Sequence, residues 1–288
     1  MTADPTTHPV FLITGGTNGI GKAAARAIAA QGGQVVIVGR DRQKTEATVA
    51  ELRQAAGAPH IDYLLADLSS LAEVRQLAEA FAARYPRLDV LVNNAGALFT
   101  RRRQTVDGLE MTFALNHLSY FLLTNLLLDR LKASAPARIV NVSSGAEAGA
   151  RVDWEDLQMT RTYNGFGAYA LSKRCNLYFT YELARRLQGT GVVVNALHPG
   201  AVATGFWANP FGRMSRLLMP LTRLIMRSPE KGAETVVYLA TSPAVAGVTG
   251  TYFVDKRVRN SSRASRDVAA AQRLWQISAH LTGWAAVG

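Results

Sequence analysis

A tyrosine and a lysine four residues apart could carry proton-transfer chemistry in this chain. Tyr169 and Lys173 belong to the sequence YALSK, inside a run whose apolar residues recur at helical spacing. Residues i and i+4 share one face of a helix, so the phenol and the ammonium group are expected to be neighbours. A nearby positive charge would lower the pKa of the tyrosine from its usual value of about 10. Tyr169 could then exchange protons with a substrate, although YxxxK also occurs by chance in many helices.

The composition is that of a globular protein able to bury a large core. Of 288 residues, 48% are hydrophobic and 18% are charged. An α/β fold of this length is often one unit, so we expect a single domain over residues 1–288. Cys175 is the single cysteine, which excludes an intrachain disulfide and a metal site of several thiolates. His117 and His198 lack partners at ligand spacing, and we therefore expect no metal site.

The sequence carries no export or membrane-spanning signal that we can identify. The first ten residues, MTADPTTHPV, have no basic segment before an apolar run. No later stretch reaches the ~18 uninterrupted apolar residues of a membrane span. A cytoplasmic location is the expectation that also suits the single cysteine.

An excess of basic residues favours anionic partners. The chain has 32 Lys and Arg against 21 Asp and Glu, a net charge of +11. Such a balance suits nucleic acid, a membrane surface or a phosphorylated cofactor. Nucleic-acid binding would need aromatic platforms or a recognition helix beside the charge, and none is evident, so we predict no nucleic-acid partner.

A glycine-rich turn joins the first predicted strand to the first predicted helix. The apolar run PVFLITGG is followed by an alanine-rich helical pattern, and TGGTNGIG lies at the junction with Gly15, Gly19 and Gly21. Glycines there let the main chain approach a pyrophosphate, and the start of the helix supplies free N–H groups with a partial positive charge. The position of the turn favours a nucleotide site over a purely structural turn.

The end of the second predicted strand indicates which cofactor is bound. Arg40 follows the apolar strand QVVIVG, about 20 residues past the glycines, where an acidic residue would hold the ribose of NAD and an arginine would accommodate the 2′-phosphate of NADP. Lys22 could add a second cation. Asp41 could be read as the NAD-type acid, but we prefer it as the N-cap of the helix DRQKTEATVAELRQAA.

Strands and helices continue to alternate, which predicts a parallel sheet with right-handed crossovers. Asp67 ends the third strand, where it could reach an adenine amino group, and NNAG at residues 93–96 ends the fourth with small side chains. A long helical pattern from Thr105 to Leu131 contains Asn116 on its apolar face, a costly position unless the amide is paired.

Two further strands end in residues suited to a site. The fifth, ARIVNVSS, ends at Ser143 and Ser144, and the sixth, VVVNALHPG, ends at Pro199 and Gly200. Ligands bind at the carboxyl edge of open α/β sheets, so these residues are expected near the ends of the other strands.

Six signals in order along the chain resemble the short-chain dehydrogenase/reductase superfamily. They are TGGTNGIG, NNAG, Asn116, Ser144, YALSK and HPGAVAT. RIVNVSS, the long insert before YALSK, ELARRLQGTGV and GTYFVD resemble the retinol dehydrogenase branch more closely.

The resemblance implies a role for each of four catalytic residues. Tyr169 would be the acid and base, and Lys173 would lower its pKa and bind the nicotinamide ribose. Ser144, rather than Ser143, would polarise the substrate oxygen, and Asn116 would anchor a water in a proton relay. A tuned phenol and a hydroxyl donor at one oxygen suit a reaction in which hydride leaves carbon as a proton leaves oxygen.

The cofactor residues implied by the resemblance and by the strand ends form one larger set. Pro199 and Gly200 would line the nicotinamide, with Thr204 reaching its carboxamide. The complete set is Gly15, Thr17, Asn18, Gly19, Ile20, Gly21, Lys22, Arg40, Asp67, Leu68, Asn94, Ala95, Gly96, Tyr169, Lys173, Pro199, Gly200, Val202 and Thr204.

Residues 206–228 mix apolar and basic side chains in the sequence FWANPFGRMSRLLMPLTRLIMRS. The corresponding segment in the family covers the substrate, and an apolar cover suits a lipophilic ligand. An amphipathic basic stretch could instead contact an anionic membrane, and ordinary core packing is a third interpretation. Membrane-bound relatives of the retinol type carry an N-terminal hydrophobic anchor, whereas this chain begins almost at its first strand, which favours a soluble enzyme.

The sequence therefore predicts an α/β, Rossmann-type doubly wound parallel sheet of about seven strands, with helices on both faces. The predicted function is that of an NADP(H)-dependent oxidoreductase, with NAD(H) as the second choice, interconverting an alcohol and a carbonyl on a lipophilic substrate. A noncatalytic NADP-binding sensor or scaffold with the same fold is the alternative, and the nucleotide-sugar epimerases are a further rival. We expect a homodimer or homotetramer paired through the partly apolar face of FTYELARRL, on the helix of Tyr169.

Overall fold

The computed structural model describes residues 8–57, 60–201 and 227–284. Val202, Thr204 and residues 206–226 of the expected substrate cover lie outside these ranges. No helix among the described residues is long and apolar enough to cross a bilayer.

The strands coincide closely with the apolar runs of the sequence. They are β1 (Val10–Thr14), β2 (Gln34–Gly39), β3 (Ile61–Leu65), β4 (Val90–Asn93), β5 (Ala137–Val142), β6 (Val192–His198), β7 (Thr251–Val254) and β8 (Arg257–Arg259).

Helices separate most of these strands. They are α1 (Gly19–Ala29), α2 (Arg42–Ala56), α3 (Leu71–Arg84), α4 (Met111–Phe113), α5 (Ser119–Leu126), α6 (Leu128–Ala133), α7 (Gly165–Arg186), α8 (Pro229–Thr241) and α9 (Val268–Thr282).

Within the described residues the strands form one sheet in the order β3-β2-β1-β4-β5-β6-β7-β8. Neighbouring strands from β3 to β7 pair in parallel, and β8 pairs antiparallel with β7. The predicted doubly wound parallel sheet is confirmed. The added edge strand β8 was not predicted; it follows a tight turn in which Asp255 and Lys256 both have positive φ (51° and 61°), a left-handed pair that matches the twist of a hairpin.

Each face of the sheet buries its own apolar cluster under helices. One cluster joins β1, β4 and β5 to side chains of α3, α5 and α7, among them Phe81, Phe121 and Phe179. The other joins the opposite face to α1 and α8 through residues such as Ile28 and Val236. Continuous apolar strands are what a sheet covered on both faces requires.

Local capping explains where several helices begin. Asp41 accepts a hydrogen bond from the Lys44 N–H at 2.7 Å and caps α2, as the sequence predicted. Asn164 accepts from the Gly167 N–H at 2.7 Å and so fixes the start of α7, five residues before Tyr169.

The helical pattern predicted from Thr105 to Leu131 is wrong at its start and in its regularity. Helix begins at Met111, because Glu110 caps the N–H groups of Thr112 and Phe113 and pairs as an isolated bridge with Gln104. Residues Ala114–Leu118 then form a π-helix, which widens the helix at Asn116.

The C-terminal helix α9 packs on the outer side of α7. His117 Nε2 lies 2.9 Å from Ser278 Oγ, the Trp275 ring stacks on Phe179, and the Arg186 guanidinium lies 4.2 Å from the centre of the Trp275 ring. Helix α9 of the same chain thus covers part of the FTYELARRL segment. Pairing of two chains through this helix stays a prediction.

Candidate active site

The strand order changes direction between β1 and β4, and the predicted site residues gather at that edge. From β1 the sheet runs outwards through β2 and β3 on one side and through β4 and β5 on the other. A crevice outside the carboxyl ends of the strands at such a switch point is where open α/β sheets bind ligands.

The turn after β1 has a shape that glycine permits. Gly15 and Gly19 have φ of +66° and +51°, in the left-handed region. At Gly21 a Cβ atom would lie 2.4 Å from the Gly15 carbonyl oxygen and 2.5 Å from Asn94 Nδ2. The first turn of α1 therefore packs directly on main chain of the loop that precedes it.

The N-terminus of α1 is open for an anion. Asn18 is the exposed N-cap residue, its side chain makes no capping hydrogen bond, and the first turn contains no acidic residue. Thr17 and Ile20 are half-buried beside it. Free N–H groups at the positive end of a helix beside glycines fit the pyrophosphate of a dinucleotide, so these residues suit the cofactor that the sequence predicted.

Thr14 holds the loop after β4 against the glycine turn. Its Oγ1 accepts hydrogen bonds from the N–H groups of Asn94 (2.9 Å) and Ala95 (3.1 Å), and Asn94 Nδ2 donates to the Thr14 carbonyl at 2.8 Å. The sequence analysis passed over Thr14; the signal for it was a buried hydroxyl at the last position of an apolar strand.

At the other end of the glycine turn, Arg40 is exposed directly after β2. No acidic side chain in the described ranges forms an ion pair with it, and the carboxylate of Asp41 is turned to the α2 N-terminus. Lys22 was expected to add a second cation, but its Nζ lies 2.6 Å from Glu51 Oε2. The acidic partner offsets much of the charge of Lys22, so Lys22 is less available to a bound anion than the sequence predicted.

Asp67 and Leu68 lie where β3 ends. Asp67 Oδ1 accepts hydrogen bonds from the Ser69 N–H (2.9 Å) and hydroxyl (2.8 Å), and Leu68 is buried. Asp67 Oδ1 thus stabilises the turn after β3. The adenine contact of Asp67 stays a prediction.

Asn116 is buried and its amide is fully engaged as a donor. Nδ2 donates to the Ala97 carbonyl (2.9 Å) and to Ser172 Oγ (3.0 Å), while Oδ1 accepts from the Ala97 N–H (2.9 Å). These contacts tie the loop after β4 to the catalytic helix, and a Cβ on Gly96 would approach Asn116 Oδ1 to 3.2 Å. A relay water at the side chain would have to donate to Oδ1, because both N–H groups are used.

Ser144 and Tyr169 come together, as the sequence predicted. Ser144 follows β5, is half-buried and hydrogen-bonds through its side chain with Tyr169. Ser143, by contrast, is buried, and its hydroxyl donates to the Lys173 carbonyl oxygen at 2.8 Å. The choice of Ser144 over Ser143 fits this geometry, because only Ser144 is directed towards the phenol.

Lys173 is buried between two tyrosine rings. Its Nζ donates to the Val142 carbonyl oxygen at 3.0 Å and lies 5.6 Å from the ring centre of Tyr169 and 5.7 Å from that of Tyr120. Tyr120 was missed by the sequence analysis, since an aromatic residue within an apolar helix reads as core.

The pKa values of this pair correct one expectation. Burial raises the pKa of Tyr169, and the hydrogen bond with Ser144 opposes that rise. Burial lowers the pKa of Lys173 to about 7. The expected net lowering of the Tyr169 pKa is not found in the chain alone, because burial of the phenol is the larger cause and raises it. The contribution of Lys173 to this pKa stays a prediction.

The end of β6 places Pro199 and Gly200 beside Arg227. Gly200 has φ +86°, and a Cβ there would lie 2.7 Å from Arg227 Cδ. Arg227 forms a two-pronged ion pair with Asp255, and its N–H donates to the Ala201 carbonyl oxygen at 2.8 Å. His198 is half-buried, and burial lowers its pKa.

Two residues that could have carried other chemistry are structural. Cys175 is buried within a helix, and burial raises its pKa, which makes its thiol a poor nucleophile. His117 is buried and bonded to Ser278, and burial lowers its pKa to about 3. No cluster of three potential metal ligands occurs among the described residues.

Comparison with known proteins agrees with this geometry. The sequence profile of the family described as short chain dehydrogenase matches residues 9–212. Retinol dehydrogenase 13 of Homo sapiens is 42% identical over 279 residues, which cover 94% of this chain and 84% of the relative.

Solved structures give the same result. An uncharacterised protein from Mycobacterium paratuberculosis superposes with a TM-score of 0.77 at 31% identity, covering 97% of each chain. The RhlG/NADP active-site complex of Pseudomonas aeruginosa superposes with a TM-score of 0.67 at 29% identity, covering 85% of this chain and 93% of its own. The chain therefore belongs to the short-chain dehydrogenase/reductase superfamily, in its retinol dehydrogenase-like branch, as an oxidoreductase that acts on CH–OH groups.

Proposed function

We propose that the chain is an NADP(H)-dependent enzyme that interconverts an alcohol and a carbonyl on a lipophilic substrate. The observation that carries this proposal is the hydrogen bond between Ser144 and Tyr169, with Lys173 buried beside the phenol. A bound nicotinamide supplies or accepts the hydride.

The state of Tyr169 suits carbonyl reduction at neutral pH. Because burial raises its pKa, the phenol keeps its proton and can donate it to the oxygen of a carbonyl substrate. Ser144 would hydrogen-bond the same oxygen as negative charge develops there. Lys173, close to the ring, would stabilise the phenolate left behind, and alcohol oxidation would use the same groups in reverse.

Two observations favour NADP(H) over NAD(H). Arg40 is exposed after β2, and Asp41 is occupied as a helix cap rather than directed at a ribose. A guanidinium group can meet a 2′-phosphate with parallel hydrogen bonds. The RhlG complex contains NADP, and NAD(H) is the second choice.

A lipophilic substrate is suggested by the relatives and by one exposed ring. Several similar proteins are retinol dehydrogenases. Phe166 is 54% exposed in the first turn of α7, three residues before Tyr169 and so on its face of the helix. An apolar alcohol or aldehyde would cover this ring.

Three further properties belong to the same proposal. We keep a cytoplasmic location and peripheral membrane contact through residues 206–228 as predictions. We also keep, as a prediction, a homodimer or homotetramer paired through the helix of Tyr169, on the part of α7 that α9 leaves uncovered.

A cofactor-oxidation screen tests this function. The purified chain would be given NADPH, and NADH in parallel, with aliphatic and aromatic aldehydes, retinal, steroids and quinones. We expect turnover with at least one apolar carbonyl compound, faster with NADPH, and its loss in Ser144→Ala. Activity confined to polar substrates such as sugars would refute the lipophilic class, and turnover unchanged by Ser144→Ala would refute the assigned chemistry.

A further inference from the structure

A buried ion pair lies next to the catalytic residues in the chain. Glu147 and Arg174 have side-chain exposures of 3% and 7%, and Arg174 Nε lies 3.6 Å from Glu147 Oε2. Buried charges are costly unless they are paired and hydrogen-bonded. Arg174 follows Lys173 directly on α7, and Glu147 lies in the short 3₁₀ turn Gly145–Gly149 that Ser144 caps.

The guanidinium of Arg174 is attached to the main chain of that turn. Its Nε and Nη2 donate to the Glu147 carbonyl oxygen at 3.1 and 2.6 Å, and Nη2 also reaches the Ala148 carbonyl oxygen at 3.2 Å. Arg174 therefore attaches helix α7, which contains Tyr169, to the turn that follows Ser144. Because these hydrogen bonds go to main-chain carbonyl oxygens, they fix the position of the turn as well as balance the charge of Glu147.

The carboxylate of Glu147 is held from the other side by the C-terminal part of the chain. Oε1 accepts from the Ser262 N–H at 2.8 Å, and Oε2 accepts from the Ser262 hydroxyl at 2.7 Å. Ser262 Oγ in turn accepts from the Ser265 N–H at 3.2 Å. The turn is thus held between α7 and the segment around Ser262. We call the contacts of Glu147 with Arg174 and Ser262 the clamp.

We propose that Glu147, Arg174 and Ser262 are positioning residues that hold the Ser144 turn so that the Ser144 hydroxyl stays hydrogen-bonded to Tyr169. Each acts through the turn and none touches the substrate. If these contacts are lost, Ser144 moves relative to Tyr169 and the transition state loses a hydrogen-bond donor. The glycine turn after β1 keeps its shape, because β4 separates β1 from β5 in the sheet.

The groups facing the Tyr169 phenol define what such a loosening would do. Lys173 lies on the same helix, Tyr120 faces it from α5, and Ser144 faces it from the turn. Ser144 is the group among these that the clamp controls. Because its hydrogen bond lowers the pKa of Tyr169, losing it should move the titration of the phenol to higher pH.

Adjacent serines offer a matched test. Ser262→Ala removes one bond to Glu147, whereas Ser261→Ala removes contacts to Tyr181 Oη (2.6 Å) and Ser265 Oγ (2.8 Å) but none to the turn. Glu147→Gln keeps the size of the side chain and removes its charge. We expect Ser262→Ala and Glu147→Gln to lower kcat about tenfold with little change in KM for NADPH, and Ser262→Thr, which keeps the hydroxyl, to restore it.

Two further measurements separate positioning from general destabilisation. The pH at which carbonyl reduction begins to fall should rise in Ser262→Ala and not in Ser261→Ala. Hydrogen exchange of residues 145–150 should speed up in Ser262→Ala and Glu147→Gln, with exchange of α1 unchanged. Equal kcat losses in the two serine variants, or unchanged exchange in the turn, would overturn the proposal.

The kinetic measurements depend on the proposed reaction, whereas the exchange measurement does not. If no carbonyl substrate is found, faster exchange of residues 145–150 in Ser262→Ala but not in Ser261→Ala would still support the clamp. The failure of one proposal can therefore be told from the failure of the other.

Discussion

The cofactor end of the site, between β1 and β4, presents main chain to its ligand, whereas the catalytic end, between β5 and α7, presents buried side chains. At the first, Gly15, Gly19 and Gly21 leave room and expose N–H groups. At the second, Lys173 and Tyr169 are desolvated, and their pKa values shift in opposite directions.

The difference decides what each end is sensitive to. Added atoms should disrupt binding at a main-chain surface, since a Cβ on Gly21 would lie 2.4 Å from the Gly15 carbonyl oxygen. At the catalytic end, removal of a single oxygen atom should instead abolish proton transfer, because the proton donor is the Tyr169 hydroxyl. The two ends should therefore respond to substitutions in different kinetic constants.

The largest effect should follow from Tyr169→Phe, which deletes the proton donor and keeps the ring. We expect kcat for carbonyl reduction to fall about a hundredfold or more, with affinity for NADPH nearly unchanged. Steady-state kinetics and NADPH titration by fluorescence would measure both. Tyr63→Phe, at a tyrosine whose hydroxyl meets Glu46 on the surface, is the control. Retention of more than about a tenth of kcat would contradict the acid role.

The next effect should come from Gly21→Ala, which adds one methyl group to the main-chain end. Overpacking at a close contact costs about 1–3 kcal/mol, and each 1.4 kcal/mol is about tenfold in affinity. We expect the Kd for NADPH to rise about ten- to a hundredfold, measured by calorimetry. Gly247→Ala, where an added Cβ meets nothing within 4 Å, should bind as the unmodified chain does. Equal affinity in the two variants would mean that the turn does not contact the cofactor.

These two ends also differ in how far the sequence alone could predict them. The glycine turn, the strand ends and the Asp41 cap follow from local rules on turns, periodicity and capping, and the structure has them where the sequence predicted. The pairing of Ser144 with Tyr169 came from family resemblance, because no local pattern brings a strand end and a helix 25 residues apart together.

The failures of prediction lie in long-range contacts. The pKa of Tyr169 depends on how much water α5, α7 and the Ser144 turn exclude, and the partner of Lys22 is Glu51, 29 residues away. The packing of α9 on α7 depends on Trp275, which stacks on Phe179 about 100 residues earlier in the chain. Sequence patterns describe an element and do not identify its neighbours.

The smallest predicted effect concerns Arg40, the charged side chain at the edge of the main-chain end. A 2′-phosphate adds nearly two negative charges, and one charge-assisted hydrogen bond contributes about 1.5–3 kcal/mol, so NADPH should be preferred over NADH about tenfold or more in kcat/KM. Arg40→Asp should shrink or invert this preference, because a carboxylate repels the phosphate and accepts a hydrogen bond from a ribose hydroxyl.

Arg42→Asp makes the same charge change two residues later, at an exposed side chain paired with Glu46. It should leave the preference nearly as it was. Equal kcat/KM for both cofactors in the unmodified chain would reduce Arg40 to a surface charge and remove the NADP assignment, while the oxidoreductase chemistry of Ser144 and Tyr169 would stand.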